Sequence, residues 1–172
     1  MDHQSLAQLL GNYGEFFGGV VVVISVVYLA LQLKTANVQA QASAQIAWIQ
    51  GLNEIWDRWG KPEVRDALRR GFSDFNSLSD NDQVVFQMQV GSLVNHLLTA
   101  QDLAQQGLLP PSYTKTTSDM LIQVLGTKGG LQYWEADSKA TPEGEALFDE
   151  VRNRASEVQH WDALFPWWKN SD

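Results

Sequence analysis

Side chains that commonly carry chemistry are sparse in this sequence. The three histidines, His3, His96 and His160, lie far apart, and none belongs to an H-E-x-x-H or similar metal-ligand spacing. His96 falls within a predicted helix, where we interpret it as a hydrogen-bonded structural residue. The absence of cysteine fits reducing and oxidising compartments alike. We therefore predict no enzymatic activity, no metal site and no cofactor.

A glycine-rich segment, GTKGG at residues 126–130, is the only candidate for binding a phosphate group. It contains a lysine but lacks the G-x-x-x-x-G-K-[ST] order of a phosphate-binding loop. We predict that this segment is a loop that ends a helix. Neighbouring carboxylates such as Glu143 and Glu145 do not converge on one helix face, so solvated surface is their expected role.

The charge balance limits the classes of partner. The chain has 12 Lys plus Arg against 20 Asp plus Glu, for a net charge of −8. Binding to a phosphate backbone needs a concentrated basic face, so nucleic acid is not expected as a partner. A hydrophobic content of 44% and seven tryptophans indicate a folded core rather than a disordered chain.

Residues 16–33, FFGGVVVVISVVYLALQL, form an unbroken apolar run without a charge. As a helix the run is about 27 Å long, close to the ~30 Å hydrocarbon thickness of a bilayer. A buried core helix is disfavoured, because the run is apolar on every face and the chain is too small to surround it. A cleaved signal peptide is disfavoured because no Lys or Arg precedes Phe16. The sequence therefore predicts one transmembrane helix, with the lipid bilayer as a partner.

The charges that flank this run predict its orientation. Lys34 follows the run, whereas Asp2 and Glu15 precede it. By the positive-inside rule, the N-terminus lies outside and the larger domain in the cytoplasm. We accordingly predict a single-pass protein of the bacterial inner membrane.

Small and polar residues recur through the apolar run at a fixed spacing. A period of seven keeps one stripe facing a neighbouring helix, and small side chains allow two backbones to approach closely in lipid. The stripe, called here the heptad stripe, consists of Gly11, Gly18, Ser25, Gln32 and Gln39, together with Gly14, which forms a G-x-x-x-G pair with Gly18. It predicts self-association or docking on another membrane subunit, with hydrogen bonds from its polar members.

The sequence after Lys34 contains no strong helix breaker before residues 60–62. The spanning helix is therefore expected to continue into the soluble part. Small residues Ala36, Ala40, Ser43 and Ala47 form a narrow seam, and larger ones then take over as the helix enters the domain core: Trp48, Leu52, Ile55 and Trp59.

Further helices are separated by clear punctuation. Pro62 suits the first turn of a helix over 63–70 that ends at Gly71. Ser79 resembles the N-cap of a long helix that reaches Gly107. Later helices are expected over 112–125 and from Pro142, with only a short turn at 131–134. No convincing strand is present, so we predict an all-α fold: a single N-terminal transmembrane helix extending into a soluble helical bundle.

The C-terminal tail is unusually apolar. Five large side chains must be covered by something: Trp161, Leu164, Phe165, Trp167 and Trp168. They can fold back onto the domain, pack on a neighbouring subunit or insert at the bilayer surface. The predicted organisation is an N-terminal segment 1–15, the transmembrane helix 16–33, a juxtamembrane helix 34–60, a soluble helical domain 61–158 and the tail 159–172.

Three segments carry a resemblance: GEF at residues 14–16 with the following VVVVISVVYLALQLK, GLL at 107–109 and GGLQYWE at 129–135. With them the chain resembles a broad family of uncharacterised bacterial proteins that have one N-terminal membrane helix and a helical domain. The resemblance covers nearly the whole chain and implies no activity or catalytic residues. Relatives tend to have an arginine after the span, where this chain has Lys34.

These observations leave three functional hypotheses. The first is a membrane-anchored structural or interaction protein that self-associates or serves as a subunit of a larger membrane complex. The second is a membrane-bound binding module that holds an apolar ligand or lipid in its Trp-rich helical core. The third, a membrane-bound hydrolase or transferase, has the least support because the motifs for it are missing.

Overall fold

The computed structural model describes the backbone of residues 3–137 and 142–158, and the side chains of residues 13–135 and 145–158. Within these ranges the chain is helical and contains no β-strand, which confirms the predicted all-α class. Short 3₁₀ turns lie at Phe75–Ser77 and Ala155–Glu157. The α-helices are α1 (His3–Trp59), α2 (Pro62–Ser73), α3 (Asp80–Gln105), α4 (Ser112–Leu125), α5 (Lys128–Asp137) and α6 (Pro142–Asn153).

The chain divides into two compact units, Met1–Ser43 and Ala44–Asp172. The division lies inside the predicted juxtamembrane segment 34–60. The first unit is helical from His3 onwards, and the second contains the last part of α1 together with α2 to α6. The predicted tail, residues 159–172, lies outside the described residues.

Local sequence signals set the ends of α3. The Ser79 hydroxyl accepts a hydrogen bond from the Asp82 backbone N–H at 3.3 Å and donates one to the Asp82 carboxylate at 2.8 Å. It thereby satisfies one of the free N–H groups of the first turn. After the last turn, Gly107 adopts φ +74°, a conformation that L side chains rarely adopt. The predicted N-cap and the predicted stop at Gly107 are both confirmed.

The hydrophobic core of the second unit is centred on α3. Its buried face presents Phe86, Leu93 and Leu97, all with 0% exposure. The predicted core residues of α1 are also confirmed: Ile55 and Trp59 are buried, while Trp48 and Leu52 are partly buried against the same core. The remaining core side chains come from every other helix of this unit and include Leu68, Phe72, Leu121, Ile122, Leu125, Tyr133, Trp134 and Val151.

The prediction that α2 stops at Gly71 is wrong, because the helix continues to Ser73. Gly71 is needed for space rather than for termination. A Cβ at Gly71 would lie 2.2 Å from the Phe86 ring, and a Cβ at Gly129 would lie 1.6 Å from the Gly71 carbonyl oxygen. Gly71 thus leaves room for the Phe86 ring of α3, and Gly129 lets the backbone of α5 touch that of α2.

The prediction of a helix-ending loop at 126–130 followed by a short turn is only half right. Gly126 does end α4, but α5 begins at Lys128 and includes Gly129 and Gly130. The Thr127 hydroxyl accepts a hydrogen bond from the Gly130 N–H at 3.0 Å and so caps the new helix. Two adjacent glycines usually predict the end of a helix, but close packing keeps both of these within α5.

Candidate functional site

The apolar run lies within α1 and is exposed throughout. An 18-residue window of this helix has a mean hydropathy of 2.3, and none of the window is buried inside the protein. Large side chains such as Phe16, Ile24 and Leu33 are 60% or more exposed. The chain therefore contains a helix that is long and apolar enough to cross a membrane, near its N-terminus.

The described members of the heptad stripe are all exposed. Around Gly14 and Gly18, no other atom lies within 4 Å of an added Cβ, so each leaves an open notch on the helix surface. The Ser25 hydroxyl donates to the Val21 carbonyl of its own helix at 2.8 Å. This leaves the lone pairs of the Ser25 oxygen, rather than its proton, for a hydrogen bond to a partner. Gln32 and Gln39 keep exposed amides, and Gly11 lies in α1 with its burial outside the description.

Within the second unit, α1 has two different faces. One face packs into the core through Trp48, Leu52, Ile55 and Trp59. On the other side, Ile46 is 57% and Ile49 is 44% exposed. Sequence reasoning did not select these two isoleucines. The seven-residue spacing of the heptad stripe could have identified Ile46, because position 46 follows Gln39 by seven residues.

Polar contacts join α1 to α3 beside this core. His96 donates from Nε2 to the Trp48 carbonyl oxygen at 3.0 Å, and its ring stacks on the Trp48 ring at a centroid distance of 5.5 Å. A Cβ at Gly51 would lie 2.7 Å from the His96 ring, so this glycine provides the space that the histidine occupies. The prediction that His96 is a hydrogen-bonded structural residue is confirmed.

The tryptophan rings of the core are in contact with other side chains. Trp48 meets Tyr113 edge-on at a centroid distance of 5.0 Å, and Trp59 packs on Phe72 at 5.9 Å. The indole N–H groups of Trp48 and Trp134 are buried without a hydrogen-bond acceptor. These ring contacts are those expected of side chains in a structural core.

Arg154 holds the end of the described chain against α4. Its guanidinium contacts Glu157 at 2.8 Å, Asp119 at 3.2 Å and Glu150 at 3.5 Å. Hydrogen bonds from Arg154 lower the pKa of the Glu157 carboxyl, and the pKa of Asp119 is lowered by Lys115 and then by Arg154. The hydrogen bonds that lower these pKa values stabilise the ionised carboxylates. The group is therefore a structural ion-pair cluster rather than an acid or base poised near neutral pH.

An open depression lies between α2 and the first 3₁₀ turn. It is lined by Arg69, Arg70, Ser73, Asp74 and Ser77. Arg70 is paired with Asp82 at 3.0 Å, and Asp74 is paired with Lys128, which lowers the Asp74 pKa. Gln132 also accepts a hydrogen bond from the Phe75 N–H at 2.8 Å beside this depression. The ionic side chains here mainly connect α2, α3 and α5.

Among the described residues, no group of three or more His, Cys, Asp or Glu side chains could hold a metal ion. His160 and the tail side chains Trp161, Leu164, Phe165, Trp167 and Trp168 lie outside that range, as does the side chain of His3. Among the described residues, the exposed apolar length of α1 is therefore the main candidate for a functional surface. Comparison with protein-family models, with curated proteins and with solved structures gives no match to this chain.

Proposed function

We propose that the protein is a membrane-anchored helical structural or interaction protein that self-associates or serves as a subunit of a larger membrane complex. In this proposal residues 16–33 cross the bacterial inner membrane once. The soluble domain faces the cytoplasm, and the chain belongs with the uncharacterised bacterial proteins that it resembles.

The observation that carries this proposal is the complete exposure of a charge-free run of 18 residues. Soluble monomeric proteins rarely expose contiguous apolar patches of more than a few hundred Å². Burial of each large apolar side chain contributes about 1.5–3 kcal/mol, so water is an unfavourable environment for this surface. A bilayer covers all faces of the helix at once and leaves no backbone group unsatisfied.

Self-association is supported by the contrast between the heptad stripe and the surrounding surface. The notches at Gly14 and Gly18 sit among bulky neighbours such as Phe16, Phe17 and Val21, each at least 60% exposed. In lipid, where hydrophobicity does not drive helices together, close packing at small residues is the main source of association. The notches therefore favour a helix partner over lipid alone.

The anchor is tested by membrane fractionation of two double-lysine variants. Val23→Lys/Ile24→Lys places two charges in the middle of the run, where each lysine costs about 2.5–3.5 kcal/mol on insertion. Val38→Lys/Val84→Lys places the same charges at exposed positions outside it. We expect the first variant to leave the carbonate-washed membrane fraction and the second to remain. Recovery of the unmodified chain as a soluble monomer would contradict the proposal.

Sidedness and assembly are tested separately. A reporter fused after Asp172 should be active in the cytoplasm, whereas periplasmic activity would reverse the orientation. Native mass measurement in detergent should give a multiple of 19.3 kDa if the chain self-associates. Additional subunits would indicate an accessory role in a larger complex, and a retained small molecule would instead support the ligand-binding hypothesis.

A further inference from the structure

The outer face of α1 in the second unit is apolar and exposed. Ile46 and Ile49 are 57% and 44% exposed and Asn53 is exposed, whereas Trp56 is half-buried because it packs against the core and on the Trp59 ring at a centroid distance of 5.2 Å. Ile46 lies about 200° around the helix from Trp48, which packs into the core. The domain therefore covers one side of this helix and leaves the opposite side to solvent. We call Ile46, Ile49 and Asn53 the outer seam.

The spacing of the outer seam is that of a coiled coil. Its steps of three and four residues place Ile46 and Asn53 at a positions and Ile49 at a d position. The a positions continue the seven-residue count of the heptad stripe, because 46 follows 39 by seven. Both patterns lie in the single helix His3–Trp59. A pattern that keeps one register over this length is typical of a helix that pairs with another helix.

The charge distribution favours a second copy of this chain as the partner. Between Phe16 and Asn53 the only charged residue is Lys34, although the whole chain has a net charge of −8. Identical charged surfaces repel each other, but two copies of this stretch meet with almost no like charge. Asn53 can hydrogen-bond to its own counterpart, a device that fixes register in parallel coiled coils.

The outer seam is too small to hold two copies together by itself. A stable interface buries about 800 Å² and 20–30 residues per partner, and three side chains fall well short of that. Copies that share one membrane have the same orientation and a raised effective concentration, both of which favour parallel pairing. The outer seam is therefore suited to extend an association that the membrane span begins.

We propose that the outer seam is the water-side continuation of a parallel, in-register pairing between two copies of α1. This inference rests on the proposed function, because the span must bring the copies together. Ile46 and Ile49 of each copy then pack against the same residues of the other, which removes their exposed apolar surface from water.

Disulfide crosslinking in isolated membranes tests this pairing, and the chain has no native cysteine to interfere. Single variants Ile46→Cys, Ile49→Cys and Asn53→Cys of the full chain are oxidised and analysed on non-reducing gels. A disulfide needs Cβ atoms about 3.5–4.5 Å apart, so only facing positions react efficiently. Ala47→Cys and Glu54→Cys, exposed and one residue further along, are the matched controls. We expect strong crosslinking at 46, 49 and 53 and weak crosslinking at 47 and 54.

Parallel variants in the span separate this inference from the proposed function. Crosslinking at Gly18→Cys and Ser25→Cys without crosslinking at 46, 49 and 53 would retain self-association and overturn the outer seam. No crosslinking at any position would overturn both the outer seam and self-association through the span, and would leave the accessory-subunit form of the proposed function. Crosslinking at 46 and 49 that appears only after removal of residues 159–172 would show that the tail covers this face in the intact chain, and would also overturn the inference.

A charge variant provides a second measurement. In Ile46→Asp/Ile49→Asp, like charges on the two copies would face each other, so we expect the Asn53→Cys crosslink to be lost. Ala47→Asp places a charge outside the outer seam and should leave that crosslink unchanged. Circular dichroism of both variants checks that the domain still folds. Equal crosslinking in the two variants would contradict the pairing.

Discussion

The apolar side chains of residues 13–43 and those of residues 44–158 differ in their exposure. Every described side chain of the first stretch is exposed, including Leu29 at 55%. The second stretch contains a core of apolar side chains buried against one another, with Leu97 at 0%, although Ile46 and Ile49 stay exposed. Similar residues thus have different roles in the two regions. The comparison teaches that the first region depends on its surroundings for stability, whereas the second carries a core of its own.

The largest expected effect comes from matched glycine substitutions in the two regions. In Gly129→Ala the new methyl group would lie 1.6 Å from the Gly71 carbonyl oxygen, and backbone cannot move aside as a side chain can. We expect the domain to fail to fold or to lose most of its stability. Gly18→Ala meets no atom within 4 Å and should leave the thermal unfolding of the domain unchanged. Equal unfolding temperatures for both variants would contradict the close contact between α2 and α5.

Matched leucine substitutions sharpen the same comparison with a smaller effect. Leu97→Ala removes a fully buried side chain and should lower the free energy of unfolding by about 2–5 kcal/mol. Leu29→Ala removes an exposed one and should leave that free energy unchanged. Denaturant unfolding of the chain in detergent, followed by tryptophan fluorescence, measures both. A similar loss in the two variants would mean that Leu29 also belongs to the folded core.

The smallest expected effect is a response to acid that is confined to the domain. The Ser79 hydroxyl and then Arg70 lower the pKa of Asp82, and Lys115 and then Arg154 lower that of Asp119. A carboxyl with a lowered pKa stabilises the fold above its unfolded value of about 4, and this contribution is lost as the pH falls through the folded value. We expect the domain to unfold at a lower temperature below about pH 4.

Residues 16–33 contain no carboxyl group, so the membrane anchoring proposed for them should not change over the same pH range. Asp82→Asn lacks one of the titrating groups and should show a weaker dependence on acid than the unmodified chain. An unfolding temperature that stays constant from neutral pH to about pH 2 would contradict a stabilising role for these ion pairs.

Local signals made the helical class and several boundaries predictable. The Ser79 cap and the Gly107 stop act within a few residues, so their effect can be read directly from the sequence. Gly71 and Gly129 act through contacts with other helices, which the sequence pattern alone does not reveal, and it led to the wrong prediction for both. Tertiary packing here outweighs the usual tendency of glycine to end helices.

The position of the heptad stripe in α1 was predictable from the sequence, but the exposed residues that follow it were not. The seven-residue spacing selects the heptad stripe without knowledge of the fold. Exposure of Ile46 and Ile49 depends on which side of α1 the domain occupies, and that is known only once Trp48 and Ile55 are seen to face the core. The tail residues 159–172 lie outside the described chain, so their predicted interface stays a prediction.

The glycines of α5 also have a consequence for the order of folding. A ten-residue helix is barely stable alone in water, and each of its two glycines costs about 1 kcal/mol relative to alanine. Helix α5 therefore gains its stability from docking on the backbone of α2, after the chain between them has closed a long loop. Its amide hydrogens should exchange together with the opening of that contact, which makes α5 a reporter of the docking between α2 and α5.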